Sequence, residues 1–284
     1  MISTLAVRHH IVEAPSGLLH RLQYPGQGIP LVCLHGVAGC AWGWHEVARA
    51  LVGRVELQAL DMRGHGDSSW SGTGQYSTAM HVADLAAQID SIGLSQVDLV
   101  GSSWGALVAL EYAAANPDRV RRLALVDIEP SFVASSRDVP PRPRSFDDLA
   151  AVLAWLRSNH PNAPDASLNA MAVGAFRAST AGTLVPKHDP VFFECWPFRD
   201  GNHWATLDQV TSETLLVRAQ ATFVRAEVME EMKHRLPNAT LVQLENSTHA
   251  VSVDNPTDLA AQFASFFVEV PLTRSVERSG DGVA

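Results

Sequence analysis

The chain has 284 residues, with 21 Lys and Arg against 30 Asp and Glu, which gives a formal net charge of −9. Hydrophobic residues make up 46% and charged residues 18%, so the chain has enough apolar material for a sizeable core, which excludes a disordered protein. The acidic balance argues against a nucleic-acid groove, because phosphate binding needs a stripe of cationic side chains. This length predicts one large domain or a domain with an insert.

The three cysteines, Cys33, Cys40 and Cys195, are too few and too scattered for a disulfide framework or a zinc site. We expect Cys33 and Cys40 to be buried free thiols. The N-terminal residues reach charged side chains too soon to supply the apolar core of a signal peptide. The uncharged stretch 22–45 contains two prolines and five glycines, so it does not predict a membrane span. We therefore expect a cytoplasmic protein with no membrane partner.

Short apolar runs bounded by turn residues recur and predict strands buried on both faces of a parallel sheet. They cover residues 31–34, 55–60, 97–100, 123–126, 215–217 and 240–244. Helical patterns lie between and after them, over residues 44–51, 78–92, 106–115 and 256–267. Strand–helix alternation is typical of an α/β fold, a mostly parallel sheet flanked by helices. Segments 3–8 and 18–24 are predicted to enter this sheet as an antiparallel hairpin.

The alternation stops between residues 131 and 210, which we expect to form an inserted helical lid over the end of the sheet. Nine of the 16 prolines lie in residues 130–197, and no convincing strand is predicted there. A helix is predicted over residues 145–159, with Ser145 and Asp148 as a capping box. The expected organisation is thus a core of residues 1–130 and 211–284, with the lid between them. Residues from 273 onward are polar and expected to be frayed.

The pattern G-x-S-x-G occurs as GSSWG at residues 101–105, directly after a predicted strand and before an Ala/Leu-rich helix. This is the context of a nucleophile elbow, in which a serine on a sharp turn projects its hydroxyl above the sheet edge. The flanking glycines let the helix and the strand approach that turn without a steric clash. The pattern predicts Ser103 as a nucleophile, and the alternative is a chance Gly/Ser turn.

Three further segments stand in a fixed order around this elbow: HGVAG at residues 35–39, DMRGHGDS at residues 61–68 and NSTHA at residues 246–250. Together with the elbow they resemble motifs of the α/β-hydrolase fold superfamily, and the resemblance covers nearly the whole chain. It implies the α/β-hydrolase fold, and the chemistry expected is hydrolysis without a cofactor. No H-x-H or HExxH spacing predicts a metal site. These motifs do not identify the substrate.

Acyl transfer needs hydrogen-bond donors for the developing oxyanion, and in this architecture they are the backbone N–H groups of Val37 and Trp104. The Trp104 side chain is then expected either to form a pocket wall or to pack in the core. Of the 12 histidines, only His249 lies just beyond the last predicted strand, which makes it the predicted general base. His35 is expected to shape its loop, with a place in the substrate pocket as the alternative.

The catalytic acid departs from the commoner pattern of the superfamily. Most relatives carry it after the strand that follows the lid, where this chain has Thr222. The nearest acid downstream, Glu227, falls in a predicted helix. Asp127 ends the strand after the nucleophile helix, and some branches of the superfamily place their acid there. Because that strand neighbours the nucleophile strand, we predict Asp127 as the acid; Glu227, another acid or no acid at all are the alternatives.

These residues predict a cofactor-independent serine hydrolase that cleaves an ester, an amide or a related carbonyl compound, with a carboxylic ester as the first expectation. The same three residues also serve lyase, acyl-transfer and C–C bond chemistry, and a non-catalytic ligand receptor is a third class. A serine nucleophile disfavours dehalogenases and epoxide hydrolases. The HGVAG loop, rather than HGGPG, disfavours proline iminopeptidases.

The predicted lid supplies the candidates for substrate contacts. Its aromatic residues Trp155, Trp196 and Trp204 are expected to line a pocket, and the alternative is that they pack in the insert's own small core. Seven cationic side chains, Arg142 among them, are expected either to meet a carboxylate of a small-molecule substrate or to be solvated. The sequence gives no expectation for the oligomeric state.

Overall fold

The computed structural model describes residues 6–131, 142–197 and 201–268. Eight strands form one sheet: β1 (Arg8–Ala14), β2 (Gly17–Tyr24), β3 (Leu31–Leu34), β4 (Leu57–Leu60), β5 (Val97–Ser102), β6 (Val120–Val126), β9 (Glu213–Ala221) and β10 (Ala239–Thr248). A short separate pair consists of β7 (Phe176–Ala178) and β8 (Leu184–Pro186). The strand order of the large sheet is β1-β2-β4-β3-β5-β6-β9-β10. Strand β2 runs antiparallel to both of its neighbours, and the remaining pairs are parallel.

Helices cover both faces of the sheet, as the alternation of strand and helix predicted. They are α1 (His45–Ala50), α2 (Thr78–Ile92), α3 (Trp104–Ala115), α4 (Leu149–Asn159), α5 (Asp165–Ala175), α6 (Phe192–Cys195), α7 (Trp204–Leu207), α8 (Ala226–Arg235), α9 (Val251–Asp254) and α10 (Pro256–Phe267). A 3₁₀ helix, Ala41–Trp44, leads into α1. Helices α2, α3 and α8 bury their apolar sides in one core, and α1 and α10 in a second core across the sheet.

The central strands are apolar on both sides because each face is covered by helices. In β3, Val32 and Leu34 pack in the first core, whereas Leu31 and Cys33 pack in the second. All four residues are almost completely buried. This pattern of continuous apolar runs is the one expected of parallel strands. The predicted α/β fold with a mostly parallel sheet is therefore confirmed.

The N-terminal hairpin forms later in the chain than predicted. Its first strand is β1, residues 8–14, and not residues 3–8, of which the first three lie outside the described residues. Ala14 pairs with Gly17, so only two residues form the turn. Gly17 has a φ of 117°, which side chains with a Cβ rarely adopt, and it thereby allows this tight connection. The position of this turn fixes the register of the hairpin, which pairs Ala14 with Gly17 and Arg8 with Gln23.

The segment between β6 and β9 differs from the prediction in two details. Its first helix begins at Leu149, and Asp148 is itself the N-cap, since its carboxylate accepts a hydrogen bond from the N–H of Ala151 at 2.8 Å. The predicted capping box therefore does not form. The segment also contains strands, because β7 and β8 pair as a short hairpin. The predicted fraying from residue 273 onward lies outside the described residues.

The same segment packs against the loops that follow β3 and β4, at the carboxyl edge of the sheet. The N–H of Asp189 donates to the carbonyl of Gly64 at 2.8 Å, and Met171 contacts Cys40 through their sulfur atoms at 3.9 Å. Cys33 and Cys40 are buried free thiols, as expected. In the described part of the chain, no helix has the length and apolar character needed to cross a membrane.

Candidate active site

Ser103 lies on a sharp turn between β5 and α3, with a φ of 52° and a ψ of −123°. The two glycines of the motif are sterically required at this turn. A Cβ on Gly101 would lie 2.2 Å from the carbonyl oxygen of Gly105, and a Cβ on Gly105 would lie 2.5 Å from that of His35. Such strained backbone persists only where the surrounding structure fixes it, and it is common at functional sites.

Ser103, His249 and Asp127 form a chain of hydrogen bonds. Nε2 of His249 lies 2.8 Å from Oγ of Ser103, and Nδ1 of His249 lies 2.7 Å from Oδ2 of Asp127. These three residues come from the turn after β5, the end of β10 and the end of β6. The carboxyl ends of parallel strands meet at one edge of a sheet, which explains how residues 122 and 146 positions apart come together.

The Asp127 carboxylate is completely buried and held by several donors. The backbone N–H of Ala219 donates to Oδ1 at 2.8 Å, and the hydroxyl of Thr222 donates to Oδ2 at 2.6 Å. The N–H of Asp127 itself donates to the carbonyl of Val217 at 2.7 Å. A buried charge is stable only when it is paired and hydrogen-bonded, and these donors provide that environment.

The sequence did not reveal the contacts that Thr222 and Phe223 make. Thr222 stands where the commoner pattern has the acid, yet its hydroxyl donates to Asp127. The ring of Phe223, the next residue, lies 4.4 Å from the His249 ring, centroid to centroid. Glu227 is exposed in the first turn of α8 and has no part in this hydrogen-bond chain. The unusual residue at the expected acid position was the signal that pointed to Thr222.

The loop after β3 passes close to Ser103. A Cβ on Gly36 would lie 2.7 Å from the Cβ of Ser103, so only glycine fits there. His65 accepts a hydrogen bond from the N–H of Ala38 through Nε2, at 3.1 Å, and this bond helps to fix the loop around Val37. Ala38 has a φ of 60°, which bends the loop at this point. Val37 is half-buried and follows Gly36 directly.

His35 shapes this loop, as expected. Its Nδ1 donates to the carbonyl of Gly36 at 2.7 Å, and its Nε2 accepts from the N–H of Met62 at 3.0 Å. Both ring nitrogens are thus engaged by backbone groups, so His35 is not a pocket residue. Burial lowers the pKa of His35, and burial also lowers the pKa of His65 well below its usual value. Both rings are therefore neutral supports of the loop.

Of the two expectations for the Trp104 side chain, a pocket wall or packing in the core, the structure shows packing in the core. The side chain is completely buried, and its Nε1 donates to the hydroxyl of Thr78 at 3.0 Å. It also packs against His81, with ring centroids 4.4 Å apart. Trp104 is the first residue of α3, so its backbone N–H belongs to the positive end of the helix dipole. That end points toward the Ser103 turn.

The other aromatic candidates lie in different surroundings. Trp155 packs with Phe146 and Phe176, and Trp196 packs on Phe193 with ring centroids 5.3 Å apart. Nε1 of Trp204 donates to the hydroxyl of Ser131 at 3.1 Å, and the guanidinium of Arg235 lies 5.1 Å from the Trp204 ring centre. Trp204 therefore packs against Arg235 of α8.

Arg142 is placed unusually for a cationic residue. Its guanidinium carbon lies 4.6 Å from the ring centre of Phe193 and 5.7 Å from that of Trp155. Within residues 6–131, 142–197 and 201–268, no carboxylate forms an ion pair with it. Burial by surrounding protein lowers the pKa of Arg142, although part of the residue is exposed to solvent. Arg142 is thus a solvent-accessible cation held against two aromatic rings.

One group of potential metal ligands occurs in the described residues, namely His20, Asp61 and Asp67. Its ligand atoms already have partners in the protein. Nδ1 of His20 lies 2.7 Å from Oδ2 of Asp61, and Oδ1 of Asp67 lies 2.8 Å from Nζ of Lys187. Asp61 also accepts a hydrogen bond from the N–H of Ala41 at 2.7 Å. These residues form a hydrogen-bond and ion-pair network that connects the loops. Because His20, Lys187 and the N–H of Ala41 already bind the carboxylates, the group needs no cation to be satisfied.

Comparisons with known proteins agree with this architecture. The chain is 26% identical to the 3-hydroxybutyrate-oligomer hydrolase of Cupriavidus necator over 274 residues, which covers 87% of this chain and 92% of the relative. It is 27% identical to the 2-(acetamidomethylene)succinate hydrolase of Mesorhizobium japonicum over 252 residues, 81% of this chain and 85% of the relative. These relatives are hydrolases.

A solved structure of E-2-(acetamidomethylene)succinate hydrolase has the same fold. It superimposes with a TM-score of 0.82 at 22% identity, over 92% of this chain and 99% of that chain. At this level of identity the likeness concerns the fold. Residues 29–256, which make up most of the chain, match the protein family described as "alpha/beta hydrolase fold". The chain therefore belongs to the α/β-hydrolase fold family.

Proposed function

We propose that this protein is a cofactor-independent serine hydrolase that cleaves an ester, an amide or a related carbonyl compound through an acyl-enzyme on Ser103. The observation that carries the proposal is the hydrogen-bond chain from Ser103 through His249 to Asp127, with distances of 2.8 and 2.7 Å. A serine, a histidine and a carboxylate in this order are the parts needed for nucleophilic acyl transfer.

Each residue has a defined role in the proposed reaction. His249 accepts the Ser103 proton at Nε2 while Oγ attacks the carbonyl carbon. Asp127 accepts from Nδ1–H, which fixes the tautomer and stabilises the imidazolium. His249 then gives the proton to the leaving group, and the acyl group remains on Ser103. A water molecule attacks the acyl-enzyme with His249 as the base, and the acid product leaves.

The oxyanion of the tetrahedral intermediate would be held by the N–H groups of Val37 and Trp104. Two observations support these donors. Trp104 begins α3, so its N–H adds the favourable end of the helix dipole. Gly36, the residue before Val37, lies directly against Ser103, which brings the loop within reach of the attacked carbonyl. Fixed donors of this kind stabilise charge that develops in the transition state.

We further propose a carboxylate-bearing substrate, for which Arg142 is the specific observation. Its guanidinium is held against two aromatic rings and keeps solvent access without a carboxylate partner among the described residues. Burial, together with the charge of Arg142, lowers the pKa of His188 to about 4, so His188 adds no second positive charge at neutral pH. The two relatives described above act, by their names, on compounds that carry carboxylates.

The test is covalent labelling of the purified protein with a fluorophosphonate, followed by intact-mass and peptide analysis. The expected result is one adduct, on Ser103, in the wild type and none in Ser103→Ala. A panel of p-nitrophenyl esters, matched amides and thioesters then defines the reaction. The panel includes pairs that differ only in a terminal carboxylate, which separates the proposed substrate class from neutral acyl compounds.

The alternatives give different results in the same assay. A labelled protein that turns over no ester, amide or thioester unless an alcohol or amine acceptor is added would be an acyltransferase. Failure to label and failure to hydrolyse any member of the panel would contradict the proposal and favour a ligand receptor on this scaffold. Release of product from a β-diketone, but not from esters, would instead indicate C–C bond chemistry.

A further inference from the structure

One oxygen of the Asp127 carboxylate accepts two hydrogen bonds. Oδ2 lies 2.7 Å from Nδ1 of His249 and 2.6 Å from Oγ1 of Thr222. The Thr222 oxygen also accepts a hydrogen bond from the N–H of Val224 at 3.1 Å. A hydroxyl carries a single proton. The N–H of Val224 can only donate and the ionised Asp127 carboxylate can only accept, so the carboxylate is the acceptor for the hydroxyl proton of Thr222. The proton of Thr222 is therefore directed at Asp127.

The neighbouring strand holds both oxygens of this carboxylate. The N–H of Ala219, within β9, donates to Oδ1 at 2.8 Å, and Thr222, the first residue after β9, donates to Oδ2. Nε of Arg218 donates to the carbonyl of Val224 at 3.1 Å, which fixes the turn that carries Thr222. One donor on each oxygen sets the rotation of the carboxylate plane. Oδ2 can then point at His249 without a further rearrangement.

We propose that Thr222 is a positioning residue of this site, whose hydroxyl holds the Asp127 carboxylate in the orientation that His249 requires and takes up part of its negative charge. This inference rests on the proposed serine hydrolase function. Thr222 occupies the position at which the commoner superfamily pattern has the acid itself. In this chain, the acid has its place on β6, and the adjacent strand end contributes a hydrogen-bond donor instead.

Removal of the hydroxyl has two expected consequences. The carboxylate gains rotational freedom, so kcat falls, while KM changes little because Thr222 acts through Asp127. The carboxylate also keeps more of its charge on the oxygen facing His249, so the imidazolium is stabilised and the acid limb of the pH–kcat profile moves to higher pH. The nearby Glu129 is already paired with Arg225 at 2.9 Å, so this pair is unchanged by the substitution.

The experiment compares Thr222→Val and Thr222→Cys, which remove the strong donor, with Thr222→Ser, which keeps it. Thr214→Val is the matched control, because Thr214 is a fully buried threonine at the other end of the same strand and donates to the carbonyl of Ser212 at 3.0 Å. Steady-state hydrolysis of p-nitrophenyl acetate is measured from acidic to alkaline pH. The low-field ¹H NMR resonance of the His249 Nδ1 proton is recorded for each variant.

Thr222→Val and Thr222→Cys are expected to lower kcat by about 10- to 100-fold, the range for loss of a hydrogen bond to a charged group. Both should also shift the pH profile and the low-field resonance, whereas Thr222→Ser and Thr214→Val should remain within a few fold of the wild type. A folded Thr222→Val or Thr222→Cys protein with wild-type kcat, pH profile and resonance would overturn the inference. So would a Thr222→Ser variant as impaired as Thr222→Val.

The NMR readout separates this inference from the proposed function. If the wild type hydrolyses no ester, but Thr222→Val still displaces the His249 resonance, the positioning role stands and the hydrolase assignment fails. If the wild type hydrolyses esters and neither kcat nor the resonance responds to Thr222→Val, the positioning role alone fails. Thermal denaturation of every variant identifies the folded proteins, and Thr222→Cys carries the test if Thr222→Val does not fold.

Discussion

Nδ1 of His249 lies 2.7 Å from Oδ2 of Asp127, an acid that follows β6 rather than β9. This displacement by one strand is possible because β6 and β9 are adjacent and parallel, with Val126 opposite Val217. Their ends meet at one point, since the N–H of Asp127 donates to the carbonyl of Val217 at 2.7 Å. A carboxylate on either strand end can therefore approach the same histidine.

Replacement of Ser103 by alanine should abolish turnover and leave the fold intact. The substitution removes only a hydroxyl at a turn, and loss of a nucleophile is expected to lower kcat by about 10⁴-fold or more. Ester hydrolysis and circular dichroism of the purified variant provide the measurement. Ser102→Ala removes the neighbouring hydroxyl and should keep most of the activity. A drop of less than tenfold in Ser103→Ala would contradict the acyl-enzyme mechanism.

The central fold was predictable because the strands between helices are apolar on both faces. The limits of the strands were harder to predict. Strand β9 extends through Arg218 to Ala221, beyond the apolar run that predicted it. Charged and polar residues are tolerated there because the strand end approaches the surface. The hairpin of β7 and β8 escaped prediction for another reason, since each strand has three residues and Pro186 ends the second.

The candidate site was predictable where a local motif forces the backbone. The glycines around Ser103 are visible in the sequence because their spacing is fixed by sterics, and His249 is visible because it directly follows the last strand. The contact between Thr222 and Asp127 could not be predicted from the sequence. These residues are 95 positions apart and come together only because β6 and β9 are neighbours in the sheet. Arg142 likewise became distinct from other cations only in the structure, where it faces two aromatic rings and forms no ion pair with a carboxylate among the described residues.

The stability of the protein should fall as the pH drops below about 6.5, the usual pKa of histidine. Burial lowers the pKa values of His35, His65 and His81, so these rings take up protons less readily in the folded protein than in the unfolded chain. Above this pH both states are neutral and the histidines contribute no difference. Below it, the unfolded chain takes up protons that the folded protein does not, which favours unfolding.

The measurement is urea denaturation between pH 7.5 and 5.5. The slope approaches about 1.4 kcal/mol per pH unit for each histidine that stays neutral in the folded state. His65→Gln should reduce this slope, even though it also lowers the free energy of unfolding by loss of a hydrogen bond. His234→Gln, at an exposed position, is the control and should leave the slope unchanged. Equal slopes in all three proteins would refute the assignment to His65.

The aromatic residues of the insert should differ in their effect on substrate choice. Trp155 and Trp196 lie with the aromatic group around Arg142, whereas Trp204 packs against Arg235. Alanine at Trp155 or Trp196 should change relative kcat/KM among acyl groups if the insert contributes to the substrate pocket, because such pockets are lined mostly by apolar and aromatic side chains. Trp204→Ala should lower the melting temperature instead. Identical selectivity in all three variants would confine these residues to packing.

Arg142→Gln should weaken the binding of carboxylate-bearing substrates only. Loss of a charge-assisted hydrogen bond predicts a KM increase of about 10- to 100-fold for an ester with a terminal carboxylate. The neutral ester of the same length should keep its KM. Arg177→Gln is the matched control, because Arg177 is an exposed arginine of the same insert. Equal losses for charged and neutral esters would indicate that Arg142 supports the packing of the insert and does not bind a carboxylate.

Replacement of Asp127 by asparagine tests the position of the acid. Asparagine preserves the shape of the side chain but removes the charge that fixes the His249 tautomer, so kcat should fall by about 10⁴-fold. Because Thr222 already contacts Oδ2 of Asp127, a carboxylate at position 222 can reach the same region. Thr222→Asp in the Asp127→Asn background should therefore restore part of the activity. Thr222→Asp alone should be impaired, since its carboxylate would lie next to the buried Asp127 carboxylate and the two charges repel each other.

Glu227→Gln is the control for the remaining alternative and should keep wild-type kcat, because this residue is exposed in α8 and outside the hydrogen-bond chain. All variants are assayed with one ester, and their folding is checked by thermal denaturation. Full activity in Asp127→Asn, or a large loss in Glu227→Gln, would contradict the assignment of Asp127 as the catalytic acid. Failure of the double variant alone would show that a carboxylate at position 222 does not reach the position that His249 requires.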